Sequence, residues 1–280
     1  MRTAFVVLTY NRSDALLAVL RELAPQCGPH DVVVVADDGS LPGHVQALRA
    51  GRPDFPCPLL HVWHPDAGFT AGRARNLGAL HAQADYVVFL DGDCVPSRRF
   101  VSGHRQLAEP GFFVNGSRVL LSQRLSAQAL AGHGALQGLH AADWLRWRAA
   151  GDINKLTHLL YWPGAPHRVE RRFHWKGIRS CNFGVWYRDL EATNGFDESF
   201  SGWGHEDADL VLRLHNHGSL RKNGAFATEV FHLWHPDNSR DQEASNRERV
   251  LQRLHNRITR AEIGLAQAAR AGQVIVTELN

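Results

Sequence analysis

The tripeptide Asp91-Gly92-Asp93 is the first candidate for chemistry in this sequence. In an extended segment, residues two apart point the same way, so both carboxylates face one side. Two such carboxylates with a hard divalent cation make a site for a diphosphate, and the glycine allows backbone or ligand to approach closely. The alternative is a turn at a strand end, where Asp and Gly are common. The apolar strand before the tripeptide and the motifs below favour the binding site.

A second candidate is the stretch Gly202-Trp203-Gly204-His205-Glu206-Asp207, which leads into a helix predicted over Asp207 to His217. At 100° per residue from Glu206, Asp207 falls at about 100°, inside an apolar arc of the helix. The arc consists of Leu210, Val211 and Leu214. A carboxylate on an inward face must be paired or must serve a cavity, so Asp207 is a candidate for chemistry.

Some of the neighbouring side chains are predicted to face the candidate site and others to face solvent. Asp209 and Arg213 fall on the opposite side of the helix, which we expect to be solvated. Glu206 lies at the edge of the arc, and Trp203 offers a flat apolar surface on which a sugar ring can stack. The alternative is a well-capped helix behind a core Trp, with acids in its first turn that interact favourably with the helix dipole.

Two histidines, His232 and His235, follow a predicted strand near Ala225 to Leu233. Neutral imidazole is a common metal ligand, and a site that mixes Asp oxygens with His nitrogen suits Mn²⁺ better than Ca²⁺. The spacing alone is weak evidence in a chain with 17 histidines. Zinc is disfavoured because the four cysteines form no cluster.

Three further polar clusters lie where ligands bind in wound sheets. They are Thr9-Tyr10-Asn11-Arg12, Asp37-Asp38-Gly39-Ser40 and Gly72-Arg73-Ala74-Arg75-Asn76. An acid after strand two accepts hydrogen bonds from a ribose or base, or else caps a turn. Tyr10 either stacks on a base or covers the sheet edge, and the two arginines either meet phosphate or nucleotide, or are solvated or paired with acids.

The elements that must position these residues alternate between strands and helices. Strands are predicted over Thr3 to Thr9, Asp31 to Ala36, Leu59 to Trp63 and Asp85 to Leu90, with helices after Asn11 to Asp14 and over Thr70 to Ala84. This order is typical of a wound parallel sheet, whose functional groups collect beyond the carboxyl ends of the strands. We therefore expect the clusters after strands one, two and four to share one crevice.

The second half of the chain follows a looser pattern. It predicts strands over Phe112 to Leu121 and Cys181 to Tyr187, helices within residues 124–165, and a basic loop over 166–180. The loop's cations either meet donor phosphates or an anionic acceptor, or are simply solvated; they are Arg168, Arg171, Arg172, Lys176 and Arg179. Residues 240–272 are predicted as a long Arg-rich helical tail that rests on an anionic membrane or on a second subunit.

Composition limits the class of protein. The 280 residues are 44% hydrophobic with a net charge of +3, which suits one large α/β domain and disfavours a nucleic-acid binder. Scattered cysteines suggest reduced thiols in the cytoplasm. The first apolar run is too short for a secretory signal or a membrane span. We expect a cytoplasmic protein, at most peripheral at the inner face of the membrane.

Taken in order, these motifs resemble family-two glycosyltransferases of the GT-A fold, over roughly residues 3–238. Residues 181–214 are similar to a galactosyltransferase-like segment through Asn194-Gly195-Phe196-Asp197-Glu198 and the Gly-Trp-Gly-His-Glu-Asp stretch. The resemblance implies a Rossmann-like wound mixed sheet flanked by helices. It divides the chain into a nucleotide-sugar half, about 1–98, an acceptor half, about 99–238, and a C-terminal helical extension over 239–280.

The resemblance also implies roles for individual residues. It implies a UDP-sugar donor and Mn²⁺ or Mg²⁺ on its diphosphate, with Asp93 as a direct metal ligand and His235, or His232, completing the site. Asp207 matches the general base of inverting members. The nucleotide-binding positions are Thr9, Tyr10, Asn11, Asp38, Arg73 and Asp91, and the acceptor-binding positions are Trp203 and Glu206.

The implied reaction moves a hexose or N-acetylhexosamine to a hydroxyl of a glycan, a glycolipid or another acceptor. One alternative keeps the fold but retains the anomeric configuration, and then needs no base at Asp207. Another is a non-catalytic module that binds sugar nucleotides or glycans, which the presence of both a metal motif and an inward acid disfavours. No nucleic-acid partner is expected.

Overall fold

The computed structural model describes residues 1–131, 136, 140–173, 177–200, 202, 204–236, 241–268, 270 and 272–280. The described helices are α1 Ser13–Leu23, α2 Pro42–Gly51, α3 Ala71–Ala82, α4 Phe100–Leu107, α5 Gln123–Leu130, α6 Ala141–Ala149, α7 Tyr187–Ala192, α8 Glu206–His217, α9 Glu243–His255 and α10 Leu265–Ala268. The described strands are β1 Thr3–Thr9, β2 Val32–Asp37, β3 Leu59–Trp63, β4 Tyr86–Asp91, β5 Cys94–Pro96, β6 Phe112–Asn115, β7 Ser117–Leu120, β8 Val169–Glu170, β9 Asn182–Trp186, β10 Leu220–Asn223, β11 Glu229–His232 and β12 Ile275–Glu278.

Within the described residues, the main sheet has nine strands in the order β12-β3-β2-β1-β4-β9-β6-β10-β8. The first four strands of the chain run parallel, and β9 pairs antiparallel with both β4 and β6. This mixed sheet flanked by helices confirms the predicted α/β class. Because β1, β2 and β4 are parallel neighbours, the residues that follow them meet at one edge, as expected.

The alternation of apolar side chains along the strands gives the sheet a core on each face. On β1, Phe5 and Val7 join the cluster packed under α1, whereas Ala4 and Val6 join the cluster that includes side chains of α3 and α8. Successive side chains of a strand point to opposite faces, so continuous apolar strands are covered on both sides. The strands are thereby held rigidly beneath the polar groups at their carboxyl ends.

The described part of a second, smaller sheet has three strands in the order β5-β11-β7. β11 runs antiparallel to β5, with His232 opposite Cys94, and parallel to β7, with His232 opposite Leu120. The backbone N–H of Leu233 also donates to the carbonyl of Asp93 at 2.9 Å. This sheet therefore brings a segment more than one hundred residues later against the Asp91-Gly92-Asp93 turn.

The C-terminal segment differs from the long helix predicted over residues 240–272. α9 is followed by a loop, the short helix α10 and the strand β12, which pairs antiparallel with β3 at the edge of the main sheet. Residues 274–277 read Val-Ile-Val-Thr, a β-branched run that favours a strand, although the run does not indicate which strand it pairs with. None of the described helices combines the length and apolar character needed to cross a bilayer.

The described part of the predicted basic loop over residues 166–180 includes a buried arginine and a short strand. Arg168 is buried and donates to the carbonyls of Pro163, Asn223 and Ala225, so it holds loops together and does not face a ligand. β8 adds a short strand that pairs with β10. Lys176, another member of the predicted cationic cluster, lies outside the described residues.

Candidate active site

The Asp91-Gly92-Asp93 turn presses against the end of β1. The N–H of Gly92 donates to the carbonyl of Leu8 at 2.7 Å, and a Cβ at Gly92 would lie 2.6 Å from that oxygen. Only glycine permits this approach, so Gly92 is needed for close backbone packing against β1. The turn places the carboxylates of Asp91 and Asp93 next to the residues that follow β1.

Asp93 is the centre of a cluster of potential metal ligands. Its Oδ2 lies 3.5 Å from Nε2 of His235, and its Oδ1 lies 3.8 Å from Nε2 of His232. The Sγ of Cys94 lies 3.7 Å from the same Oδ1. Ligand atoms of Asp93, Cys94 and His232 all lie within 4.8 Å of one another, a spacing that one cation can bridge, and His235 approaches the other oxygen of Asp93.

The electrostatics of the cluster suit a divalent cation. Burial and the Asp91 carboxylate raise the pKa of Asp93 to about 6, while burial and the Arg118 guanidinium lower the pKa of His232 to about 4. His232 is therefore neutral at pH 7, which is the form that binds metal. Burial keeps the Cys94 thiol protonated by raising its pKa, which leaves an oxygen and nitrogen donor set of the kind Mn²⁺ prefers.

Arg75 connects the two acidic motifs, and sequence reasoning did not single it out. Its Nη2 donates to Oδ1 of Asp91 at 2.8 Å, and its Nη1 lies 3.7 Å from Oε1 of Glu206. The guanidinium is buried, and α3 supplies it from the face that also carries Ala71 and Gly78. The four-residue and three-residue spacings to those small apolar residues were the signal that could have distinguished Arg75 from Arg73.

Asp207 and Glu206 open α8 beside this arginine. Oδ1 of Asp207 accepts a 2.7 Å hydrogen bond from the N–H of Ala208, and the N–H of Ser180 donates to the same carboxyl group. Burial raises the pKa of Asp207, and burial together with Asp207 raises the pKa of Glu206 to about 7. Asp207 is thus partly buried in a group of carboxylates near the Arg75 guanidinium.

The prediction that Asp209 and Arg213 face solvent was wrong. Both side chains are completely buried, and Nε of Arg213 donates to Oδ2 of Asp209 at 2.8 Å. The second oxygen of Asp209 accepts from Arg253 of α9 at 2.7 Å. α9 packs on the face of α8 that periodicity assigned to solvent, and ion pairing compensates the buried charges.

The glycines before α8 are required by the backbone conformation and by close packing. Gly202 and Gly204 have φ of 70° and 110°, in the left-handed region, and a Cβ on Gly202 would approach Cγ of Gln242 to 2.9 Å. The carbonyl of Gly204 accepts from Nδ2 of Asn246 at 2.9 Å. Trp203, the predicted acceptor platform, lies outside the described residues.

At the other end of the site, the predicted nucleotide-binding residues form hydrogen bonds with neighbouring loops of the protein. Asp38 is buried, and its carboxylate accepts from the N–H and the hydroxyl of Thr70. Oδ1 of Asn11 accepts from the N–H of Leu41 at 2.8 Å, while the hydroxyl of Tyr10 donates to Asp66 at 2.9 Å. Thr9 is buried at the end of β1. These side chains shape the loops around the crevice.

Arg73 lies on a different face of α3 from Arg75. Its Nη1 is 3.6 Å from Oε2 of Glu198, and it lines a cavity of about 410 Å³. The same cavity is lined by Phe69, Thr70, Glu198 and Glu206. The cavity thus runs from the residues around Asp38 to the start of α8, although it does not reach Asp93 or Asp207.

A wound mixed sheet with an acidic turn, a histidine pair and an inward helix acid at one edge defines the GT-A fold. The family model for glycosyl transferase family 2 matches residues 4–123, and the model named N-terminal domain of galactosyltransferase matches residues 165–235. Together the two matches cover more than half of the chain. The chain belongs to glycosyltransferase family 2, with a galactosyltransferase-like second segment, and is an enzyme of the transferase class.

A curated relative and two solved structures agree with this assignment. Validoxylamine A glucosyltransferase from Streptomyces hygroscopicus subsp. limoneus is 29% identical over 220 residues, which cover 76% of this chain and 48% of that protein. The chain therefore spans about half the length of this relative. S. aureus TarS 1–349 with UDP-GlcNAc aligns at TM-score 0.61 and 14% identity, over 96% of this chain and 69% of that one. GalNAc-T7 with UDP, GalNAc and Mn²⁺ aligns at TM-score 0.57 and 12% sequence identity, over 90% of this chain and 48% of that one.

Proposed function

We propose that this chain transfers a hexose or N-acetylhexosamine from a UDP-sugar to an acceptor hydroxyl, with a divalent metal and with inversion at the anomeric carbon. The observation that carries the proposal is the position of Arg75 between Asp91 and Glu206. This contact joins the acidic turn after β4 to the first turn of α8. A metal-binding group and a candidate base therefore belong to one site, which a module that only binds sugar nucleotides does not need.

The choice of donor and metal is supported by chemistry and by similarity. The solved TarS and GalNAc-T7 structures carry UDP-GlcNAc, or UDP with Mn²⁺, on the same fold. In this chain, Asp93, His235 and His232 would hold the cation, and the loops formed by Thr9, Tyr10, Asn11, Asp38 and Arg73 would border the nucleotide. When bound, Mn²⁺ or Mg²⁺ neutralises charge on the leaving diphosphate.

Asp207 is the candidate base for the acceptor hydroxyl. Its raised pKa makes the carboxylate a stronger proton acceptor than an exposed Asp, while the N–H groups of Ala208 and Ser180 hold it in place. Arg75 stabilises its ionised form. Proton removal by Asp207 as the hydroxyl attacks the anomeric carbon gives a single displacement, which inverts the configuration. A retaining enzyme would not need this carboxylate.

We assign residues 1–98 to the donor side and residues 99–238 to the acceptor side of this site, with 239–280 as a bracing extension. The acceptor is a glycan or a lipid-linked glycan. For the latter, we propose that the cytoplasmic enzyme meets the inner face of the membrane through α9. Leu251 and Leu254 are exposed on α9 and Ile258 just beyond it, near Arg257, which is the pattern of helices that bind anionic surfaces. Flotation with phosphatidylglycerol vesicles tests this contact, and equal binding by the L251Q/L254Q variant would contradict it.

The central test is transfer and hydrolysis of UDP-sugars with Mn²⁺, followed by NMR of the product anomer. Asp207→Asn should lower transfer by about 10²–10⁴-fold, because general-base catalysis contributes that much, while UDP affinity stays within twofold. Asp54→Asn, at an exposed position before β3, is the matched control and should keep full activity. Normal turnover of the Asp207 variant would refute the base, and a retained anomeric configuration would refute the inverting displacement.

A further inference from the structure

Two arginines, Arg118 and Arg179, lie near Asp207 and His232, and Arg179 belongs to the basic loop predicted over residues 166–180. Arg118 is on β7, and Arg179 comes shortly before β9. Arg118 is partly exposed, and Arg179 is exposed to solvent. Neither residue takes part in the metal cluster or in the contacts of Arg75.

The register of the small sheet places Arg118 relative to the metal cluster. Leu120 pairs with His232, and Arg118 pairs with Val230, so Arg118 lies on the same face of the sheet as His232. β11 separates β7 from β5, and neighbouring strands are about 4.8 Å apart. Arg118 on β7 is thus two strands away from Cys94 on β5, and His232 on β11 lies between them. Arg118 is also displaced by two residues along the strand from the position opposite His232.

Backbone hydrogen bonds place Arg179 beside the candidate base. The next residue, Ser180, donates its N–H to the Asp207 carboxyl, and the N–H of Arg179 itself donates to Oδ1 of Asn115 at 3.2 Å. Nδ2 of Asn182 donates to the carbonyl of Ser117 at 3.2 Å, next to Arg118. The segments that carry the two arginines are therefore tied together at the entrance to Asp207.

The pair has no ion-pair partner within contact distance among the described residues, although the Asp207 carboxylate acts favourably on the charge of Arg179. Within the same part of the chain, Nε of Arg118 is buried without a hydrogen-bond partner. Burial and the charge of Arg118 lower the pKa of Arg179, which shows that the two cations repel each other. Lys155, nearby, is different: it donates to the hydroxyl of Ser117 at 2.5 Å and has the Glu229 carboxylate close by.

Two unpaired guanidinium groups side by side are a favourable arrangement for an anion, because each offers N–H donors in the fork that carboxylate and phosphate accept. The donor diphosphate is expected on the other side of β11, at Asp93 and the residues that follow β1. An anion between Arg118 and Arg179 would instead belong to the molecule that presents its hydroxyl to Asp207.

We propose that Arg118 and Arg179 form an anion subsite that binds a carboxylate or phosphate group of the acceptor substrate. The inference rests on the proposed function, since it takes Asp207 as the base. It narrows the acceptor class to acidic glycans or phosphorylated acceptors, and it assigns selectivity to the strand β7 and the segment before β9.

The test compares charged and neutral probes that are otherwise matched. Binding of p-nitrophenyl β-D-glucuronide and of p-nitrophenyl β-D-glucoside is measured by NMR titration, with the protein saturated with UDP and Mn²⁺. A second pair consists of glycerol 3-phosphate and glycerol. Wild type should bind at least one charged probe about tenfold more tightly than its neutral counterpart. R118Q/R179Q should lose that preference, while R146Q, at an exposed arginine of α6 paired with Asp143, should retain it.

UDP binding in Mn²⁺, measured by calorimetry, separates this inference from the proposed function. UDP affinity should change less than twofold in R118Q/R179Q. If it falls tenfold instead, the pair serves the donor diphosphate and the inference is wrong; it is equally wrong if wild type prefers neither charged probe. If wild type binds no UDP, the donor assignment fails, and the probe titrations repeated on the protein alone still decide whether the anion subsite exists.

Discussion

The two ends of the site are built differently, although both lie beyond the carboxyl ends of parallel strands. At the end formed by β1 and β2, the polar atoms of Asp38 and Asn11 are used in hydrogen bonds with Thr70 and Leu41. At the end formed by β5 and β11, Asp93 and His232 point ligand atoms at each other without a short hydrogen bond. The polar atoms of the first end are bonded within the protein, whereas Asp93 at the second end makes longer contacts of 3.5 to 3.8 Å with His235, Arg12 and His232.

The two ends therefore contain two kinds of residue: side chains that fix the backbone around the site, and side chains that can bind an ion. A side chain whose hydrogen bonds are satisfied inside the protein contributes to a site mainly by fixing the backbone around it. A buried carboxylate beside a neutral imidazole gains most from a bound ion. We therefore expect substitutions at the β1–β2 end to reduce stability and substitutions at the β5–β11 end to reduce metal binding and activity.

The largest effect is expected for Asp93→Ala. Removing the carboxylate at the centre of the cluster should abolish measurable Mn²⁺ binding by calorimetry and lower transfer by about 10³-fold, since metal stabilisation of the leaving group supplies several kcal/mol. The melting temperature should not fall, because a buried acid with a raised pKa is removed. Undiminished transfer by the variant in excess EDTA would exclude the metal role.

The two histidines, His232 and His235, should contribute differently to Mn²⁺ affinity. Nδ1 of His235 lies 2.7 Å from the carbonyl of Pro236, and a proton on that nitrogen leaves Nε2 directed at Asp93. Such orientation is typical of a metal ligand. We expect His235→Ala to weaken Mn²⁺ binding by about 10–100-fold, and His232→Ala to weaken it less. The reverse order in calorimetry would make His232 the principal ligand; equal affinity of both variants and wild type would show that neither histidine binds.

Asp38→Ala should act mainly on stability. The change leaves the N–H and hydroxyl of Thr70 without their acceptor, at a cost of about 1–3 kcal/mol. Denaturant unfolding should show this loss, with Mn²⁺ affinity unchanged. Thr70→Val removes only the hydroxyl donor and should cost less than Asp38→Ala. Abolished UDP binding with an unchanged unfolding midpoint would show that Asp38 binds the nucleotide directly.

The smallest effect concerns pH. Burial and Asp207 raise the pKa of Glu206 to about 7, so the folded protein holds a proton that the unfolded chain releases above its ordinary carboxyl pKa. The stability that this proton contributes is present at low pH and is lost as pH rises to about 7. The melting temperature of wild type should therefore decline relative to Glu206→Gln between pH 5 and pH 7, and the difference should level off above pH 8. If the melting temperatures of wild type and Glu206→Gln change in parallel with pH, the pKa of Glu206 is not near 7.

Much of the fold followed from patterns within single elements. The strand Thr3–Thr9 and the strand Leu59–Trp63 have the predicted bounds, since short, mostly apolar runs bounded by polar or turn residues are a local signal. Helical periodicity likewise predicted Asp207 inside the apolar arc of α8, and its side chain is partly buried. The wound sheet then followed from the alternation of elements, because parallel strands need crossover helices.

The errors have a common physical cause. Periodicity assigns one face of a helix to the core and the other to solvent, and it cannot anticipate that α9 covers the second face of α8. The buried pair of Asp209 and Arg213 was missed for that reason. Pairing of Arg75 with acids was one of the predicted alternatives, but its partners Asp91 and Glu206 lie far along the chain and could not be named from the pattern of α3. The roles of the individual site residues remain predictions that the experiments above address.

The strand β12 has a consequence for how the protein is made. Its residues 275–278 pair with β3, and the side chain of Asn280 accepts from the N–H of Leu59 at 2.7 Å and donates to the carbonyl of Cys57 at 2.8 Å. During synthesis, the outer edge of β3 therefore stays unpaired until some two hundred further residues have been added. An open strand edge is a template for pairing with other chains. The nascent chain is thus open to misassociation at β3 until β12 has been synthesised and can pair with it.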